Sequence, residues 1–304
     1  MQERPTTLEE SIYKTVAWFA LFDYAVSSFE IYKWLFEPDR NYDFHEVDQV
    51  LSSSEWLKEK LDVIEGLFVL KNSQYFSVRH TRYLDAISKF KKLRRVTKFL
   101  SRISTVRAIG AVNTLSWGHT SSTSDIDLFI VCRKGSVWTT RFLLVIPFIL
   151  LGQRPHVHGE EPVSAHPLCF SFFSSEQALC FESLRIGRDP YLAQWVHSIV
   201  PMYDPSGLIE QVSEENKWSK QVVPNAFSFS VHPSFSGKKP ALRFGLSFLE
   251  AFFRSLQQWR LPKHIKEHAN QDSRVVITDD MLKFHENDRR EQYASAHEQK
   301  VCDL

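Results

Sequence analysis

Apolar residues recur at helical spacing from about Leu8 to Asp23, where Ile12, Val16, Phe19, Ala20 and Phe22 make one stripe. A second short helix is predicted from Ser27 or Ser28, with a Ser-x-x-Glu-like cap ahead of Ile31, Trp34 and Leu35. A third runs from about Phe44 to Leu51, extended or broken before Trp56. The segment LDVIEGLFVLKNSQYFSV then alternates in strand fashion around a turn expected at Lys71-Asn72-Ser73. Further on, VRAIGAV from Val106 reads as a strand, Ile126 to Val131 as a buried strand, VWTTRFLLVIPFILLG as an apolar helix and LCFSFF as another strand. After Glu176 the pattern is mostly helical, with late helices around Leu242 to Arg260 and after Asp279. SFSVHPSFSGKKP is the best candidate for a loop.

Three short helices followed by a hairpin resemble a winged helix, a module that in other proteins binds DNA or docks protein partners. The expected organisation is a winged-helix-like module (1–78), a basic connecting helix (79–104), a mixed α/β sheet core (105–190) and a mostly helical C-terminal region (191–304). The fold class is therefore α+β.

Composition sharpens this only locally. The chain has 304 residues, 43% of them hydrophobic, which suffices for a sizeable core in two domains or more. Basic and acidic residues balance at 37 against 36, so no global charge points to nucleic acid. The stretch from Arg79 to Arg102 is the exception. It gathers Arg79, Arg82, Lys89, Lys91, Lys92, Arg94, Arg95, Lys98 and Arg102 against Asp85 alone. One reading is a solvated helix packing Leu84, Ile87, Phe90 and Leu93 inward; the other is a surface for a phosphate-bearing partner, including nucleic acid. Cys132, Cys169, Cys180 and Cys302 show no CxxC spacing and read as reduced thiols of a cytoplasmic protein. The longest apolar run, Phe142 to Leu151, is too short for a bilayer, so no membrane partner is expected.

The chemistry concentrates in GHTSSTSDIDLFIV, Gly118 to Val131. Asp125 and Asp127 stand two apart at the mouth of an apolar strand, so both project to one face about 7 Å apart. Like charges at that separation call for a cation between them or a retained proton. A structural alternative is that Asp125 caps a turn while Asp127 pairs with Arg107 or Arg133. The chemical alternative is a divalent cation, since Mg²⁺ is held by one or two carboxylates together with substrate phosphates.

In its wider context, VNTLSWGHTSSTSDIDLFIV resembles the signature of the DNA polymerase β-like nucleotidyltransferase superfamily: a hydrophobic residue, Gly-Ser, roughly ten residues, then Ser-Asp-x-Asp and an apolar strand. Val112 takes the hydrophobic place, Asn113-Thr114 the Gly-Ser place, and Ser124, Asp125 and Asp127 the acidic motif. The resemblance implies Asp125 and Asp127 as catalytic metal ligands for Mg²⁺, and Asn113, Thr114 and Ser124 as contacts to a nucleoside triphosphate. A nucleoside monophosphate would pass to an acceptor hydroxyl of unknown identity. The alternative is a non-catalytic relative that binds nucleotide or nucleic acid for regulation.

The chain departs from the pattern twice. Asn113 replaces glycine, and the LCFSFF strand offers Cys169 or Ser171 where relatives carry a third carboxylate as base. Glu160, Glu161, Glu176 and Glu182 are the nearest substitutes in sequence. ENKWSKQVVPN and VVITDDMLKFHENDRR are similar to stretches in bacterial proteins with this domain, with Trp218, Phe284 and His285 read as packing residues. His156, His158 and His166, with Glu160 and Glu161, have no recognised zinc spacing and read as a polar loop. Arg141 is either a phosphate contact or an interdomain ion pair.

Overall fold

A computed structural model describes residues 4–73, 76–152, 166–228 and 247–302. The expected loop from Ser228 to Pro240 falls almost wholly outside the described residues, as do His156, His158, Glu160 and Glu161. The fold is mixed α/β, with eleven α-helices and two sheets among the described residues.

The N-terminal part contains α1 (Thr7–Ala20), β1 (Val26–Ser27), α2 (Ser28–Lys33), α3 (Phe44–Ser53), α4 (Glu55–Lys60), β2 (Leu61–Ile64) and β3 (Leu67–Leu70). Capping boxes start three of these helices. Thr6 with Glu9, Ser27 with Glu30 and Asp43 with Glu46 each exchange reciprocal bonds that satisfy otherwise orphaned N–H groups. The strands form an antiparallel sheet in the order β1-β3-β2. Its hairpin turns at Glu65-Gly66, not at Lys71-Asn72-Ser73, because Ile64 pairs with Leu67 and leaves two residues between. Both have positive φ, 51° and 75°, the combination whose twist matches a two-residue hairpin. Phe76 already opens the long helix α5 (Phe76–Leu100).

The second sheet has six strands in the order β7-β4-β5-β6-β9-β8: β4 (Val106–Ala111), β5 (Ile126–Cys132), β6 (Leu168–Ser175), β7 (Val200–Tyr203), β8 (Val275–Ile277) and β9 (Met281–Phe284). Only β5 and β6 pair in parallel. They are joined through α6 (Val137–Leu150), consistent with the crossover that parallel strands require. After Glu176 helices outnumber strands among the described residues, but three short strands that the sequence pattern did not reveal are also present. β7, β8 and β9 complete both edges of the sheet, alongside α7 (Pro190–Ser198), α8 (Leu208–Glu215), α9 (Ser247–Arg260), α10 (Lys263–His268) and α11 (Arg290–Val301). Strands this short carry too little alternation to stand out from a helical background.

Both faces of the sheet are covered. Ile126, Leu128, Ile130 and Cys132 join one core with Leu93 of α5 and Trp138 of α6. Phe129 and Val131 point the other way, into a core shared with Trp195 of α7 and with Ile12, Phe19 and Leu35 of the N-terminal helices. The period of two along β5 puts Asp127 on this second side. No helix among the described residues is long and apolar enough to cross a membrane.

Candidate functional site

Asp127 is the second residue of β5 and Asp125 precedes that strand by one residue. The connection from β4 is a single 3₁₀ turn, Asn113–Leu115, followed by the loop through Ser124. Asn113 has φ +58°, inside the left-handed region. Asparagine enters that region more readily than most residues, so the turn accommodates a side chain there. Its amide then ties the site together. Nδ2 donates to Asp127 Oδ2 at 2.9 Å, and Oδ1 accepts from the Tyr191 hydroxyl at 3.2 Å. Thr114 sits in the same turn, its carbonyl accepting from the backbone N–H of His119 at 2.9 Å.

Cys169 lies opposite Asp127 in the β5–β6 register, while Phe129 lies opposite Phe172. The strand β6 therefore carries one extra residue beside the aspartates, a local bulge of the kind that re-aims side chains near functional sites. The thiol hydrogen-bonds Asp127, and the charges of both Asp127 and Asp125 act on it. Burial and those two carboxylates hold the Cys169 proton firmly on sulfur. Burial likewise raises the Asp127 carboxyl, and the bonds from Asn113 and Cys169 offset this only in part. Cys169 is thus the group at the place where the resemblance calls for a third acid.

A cation does approach the pair, though neither Arg107 nor Arg133. Arg107 pairs with Glu176 at 2.9 Å, and Arg133 donates to the Ser104 carbonyl. The cation is Lys89 of α5, fully buried, whose charge favours ionised Asp127. Its ammonium binds Asp85 at 2.8 Å, the Ser121 carbonyl at 2.5 Å and Ser124 Oγ at 2.7 Å, pinning the loop that leads into the aspartates. Ser124 Oγ itself donates to the Ser121 carbonyl at 3.0 Å, so its described contacts are within the protein.

Neither described glutamate supplies the missing acid. Glu176 is occupied at the far end of β6 by Arg107 and the Lys134 N–H, and the exposed Glu182 pairs with Arg185. Arg141 bonds Gln257 of α9 at 2.6 Å and lies over the Phe284 ring, so it ties α6 to the helix beside it. Among the described residues, no group of three or more His, Cys, Asp or Glu side chains is arranged to hold a metal ion. Asp125 and Asp127 remain, a carboxylate pair that suits Mg²⁺ only when phosphate oxygens complete the shell.

Three comparisons bear on identity. No family model, no curated protein and no solved structure matches this chain. The geometry stands by itself.

Sequence reasoning missed the residues that face Asn113 from the chain's far end. A cavity of about 140 Å³ lies between Asn113, α7 and the segment 283–293. Lys283 and Arg290 anchor its wall. The Arg290 guanidinium bonds Asp288, Asp189, the Leu184 carbonyl and the Ser273 hydroxyl, so its donors are spent on structure. Lys283 donates to the Ser273 carbonyl at 2.5 Å and pairs with Asp288 at 3.5 Å. Burial, reinforced by the Arg290 charge, lowers its pKa to about 8. His285, read from sequence as packing, lines this cavity, whereas Trp218 is a buried packing residue under Arg185. The signal was present in KFHENDRR, where charges crowd a strand end, but nothing local says what that end faces.

The basic helix divides into two halves. Arg79 pairs with Glu30, Arg82 binds the Phe22 carbonyl and His119, and Lys89 and Lys92 bond backbone of the 121 and 166 loops. Lys91, Arg94, Arg95, Lys98 and Arg102 are exposed.

Proposed function

We propose that this chain is a nucleotidyltransferase of the polymerase β-like kind, cytoplasmic, with a winged-helix-like N-terminal module. In this reading Asp125 and Asp127 hold Mg²⁺ and catalyse transfer of a nucleoside monophosphate from a nucleoside triphosphate to an acceptor hydroxyl. The observation that carries it is the turn at Asn113: a left-handed residue after β4, hydrogen-bonded to an aspartate one place after the start of strand β5. In this reading backbone N–H groups of the 3₁₀ turn cradle phosphate oxygens that complete the metal's shell. When bound, the metal supplies neutralisation of phosphate charge. Asn113 holds Asp127 in place, Thr114 brings a hydroxyl to the turn, and Lys89 fixes the Ser121–Ser124 loop.

A second reading, a nucleotide- or nucleic-acid-binding regulator with no catalysis, is favoured by one observation. Cys169 stands in the place of a base and keeps its proton. For nucleic acid, the exposed half of α5 is the better surface. Helix α3 carries an exposed His45 and half-buried Glu46 and Asp48, with no lysine or arginine, a poor match to a phosphate backbone.

Pyrophosphate release from the four nucleoside triphosphates with Mg²⁺ separates the readings. The transferase reading requires release that Asp125→Asn with Asp127→Asn abolishes; release that persists unchanged in the double variant refutes the site. Nucleotide binding without release, lost in the same variant, supports the regulator.

A further inference from the structure

The cavity beside Asn113 is closed on its sides by two pairs of near-parallel rings. Tyr191 and Tyr293 have centroids 5.8 Å apart at 23°, and Phe172 and Trp195 are 5.5 Å apart at 27°. At about 140 Å³ it is close to the roughly 150 Å³ apolar cavity that admits one benzene ring. It is well below the ~300–1,000 Å³ usual for larger ligands. The volume matches a single ring.

Its polar groups are placed at two ends. At the inner end Asn113 connects to Asp127, one hydrogen bond away, and the Tyr191 hydroxyl bonds the same amide. At the other, Arg289 and Asn287 are exposed and line the cavity. The Arg289 guanidinium makes no hydrogen bond or ion pair among the described residues, whereas neighbouring Arg290 uses its donors internally. In the wall, His285 Nδ1 is buried with no hydrogen-bond partner. A buried unpaired ring nitrogen costs free energy unless a ligand or water meets it. Arg289 matches a carboxylate in a planar, two-pronged fashion.

We infer that this cavity is the acceptor subsite, built for a small molecule with one aromatic ring, a hydroxyl at the inner end and an anionic group at the mouth. The acceptor role rests on the transferase reading; the binding does not. Among protein side chains, RNA ends and small alcohols, the volume and the ring walls favour the small molecule.

The test uses the full chain, without nucleotide or metal, titrated with 4-hydroxybenzoate and with phenol and followed by ligand-observed NMR. Saturable binding of 4-hydroxybenzoate is expected, with phenol weaker by roughly tenfold, the worth of about one charge-assisted hydrogen bond at an open site. Arg289→Ala, at an exposed position, should remove that difference, and Arg289→Lys should restore part of it. The His285 ring signal, assigned by its loss in His285→Gln, should shift on addition of 4-hydroxybenzoate. No saturable binding, equal affinity for phenol, or indifference to Arg289→Ala would overturn the subsite. Aspartate-dependent pyrophosphate release without 4-hydroxybenzoate binding would sink the subsite and spare the transferase. Binding with no release from any triphosphate would sink the acceptor role.

Discussion

Cys169 faces Asp127 across the parallel pairing of β5 and β6, and its thiol hydrogen-bonds the Asp127 carboxylate. A neutral, proton-bearing group thus occupies the place from which a third acid would act. Replacing it tests both the site and the chemistry. Cys169→Asp should raise Mg²⁺-dependent pyrophosphate release at least tenfold, about 1.4 kcal/mol of barrier. It should also lower the melting temperature in chelator and recover it on adding Mg²⁺, because three carboxylates without a cation repel one another. A melting temperature indifferent to Mg²⁺ in this variant would count against a metal at Asp125 and Asp127.

The Asn113 turn separates backbone from side-chain effects. Asn113→Ala keeps a Cβ at φ +58°, and Asn113→Gly removes it. The alanine variant should be less stable than the glycine variant by about 1 kcal/mol in urea denaturation. Both should lose the hold on Asp127, so both should bind nucleotide more weakly than the parent chain.

Lys89 and Asp85 form an ion pair with side-chain exposures of 0% and 15%. Lys89→Met should cost about 3 kcal/mol, since it leaves the Asp85 carboxylate mostly buried and uncompensated. Lys89→Met with Asp85→Leu should recover much of that loss. Equal losses in the single and double variants, measured by chemical denaturation, would contradict this account.

Acid should destabilise the fold through buried neutral histidines. Burial lowers His119 and His285 to about 4 and His197 to about 3, against an ordinary 6.5. Between those values the unfolded chain binds protons that the folded chain refuses, so stability falls as pH drops through 6.5 towards 4. Near pH 5 the three groups together contribute a slope of about 4 kcal/mol per pH unit, at about 1.4 for each proton. Denaturation midpoints at pH 7, 6 and 5 measure it, and His197→Gln should flatten the slope by about a third.

If the distal half of α5 meets nucleic acid, affinity for duplex DNA should fall steeply with salt, by a log–log slope of about −0.9 for each phosphate neutralised. Substituting Lys91, Arg95, Lys98 and Arg102 by glutamine should flatten that slope without unfolding the chain. Arg79→Gln should instead lower stability, because it breaks the Glu30 pair. Fluorescence anisotropy at several salt concentrations distinguishes the two.

Local signals in the sequence proved legible wherever one segment decides its own conformation. The capping residue Ser27, the apolar run of β5 and the period of α1 all report on themselves. The hairpin turn was misplaced because Lys71-Asn72-Ser73 looks more like a turn than Glu65-Gly66, although two-residue geometry favours the latter. Lys89 read as one solvated charge among nine, and only the fold shows it buried against Ser124. The wall formed by His285, Asp288 and Arg290 was hidden for a different reason. Some 170 residues separate it from Asn113, and no local pattern encodes such a meeting.

That long reach has a consequence for how the protein comes into being. β9 joins β6, and α11 clasps α1 through His297 on the Lys14 carbonyl. A nascent chain paused on the ribosome after β6 already holds both aspartates, yet it lacks half the chamber beside them. Synthesis must run into α11 before Arg290 and Tyr293 can wall the cavity beside Asn113.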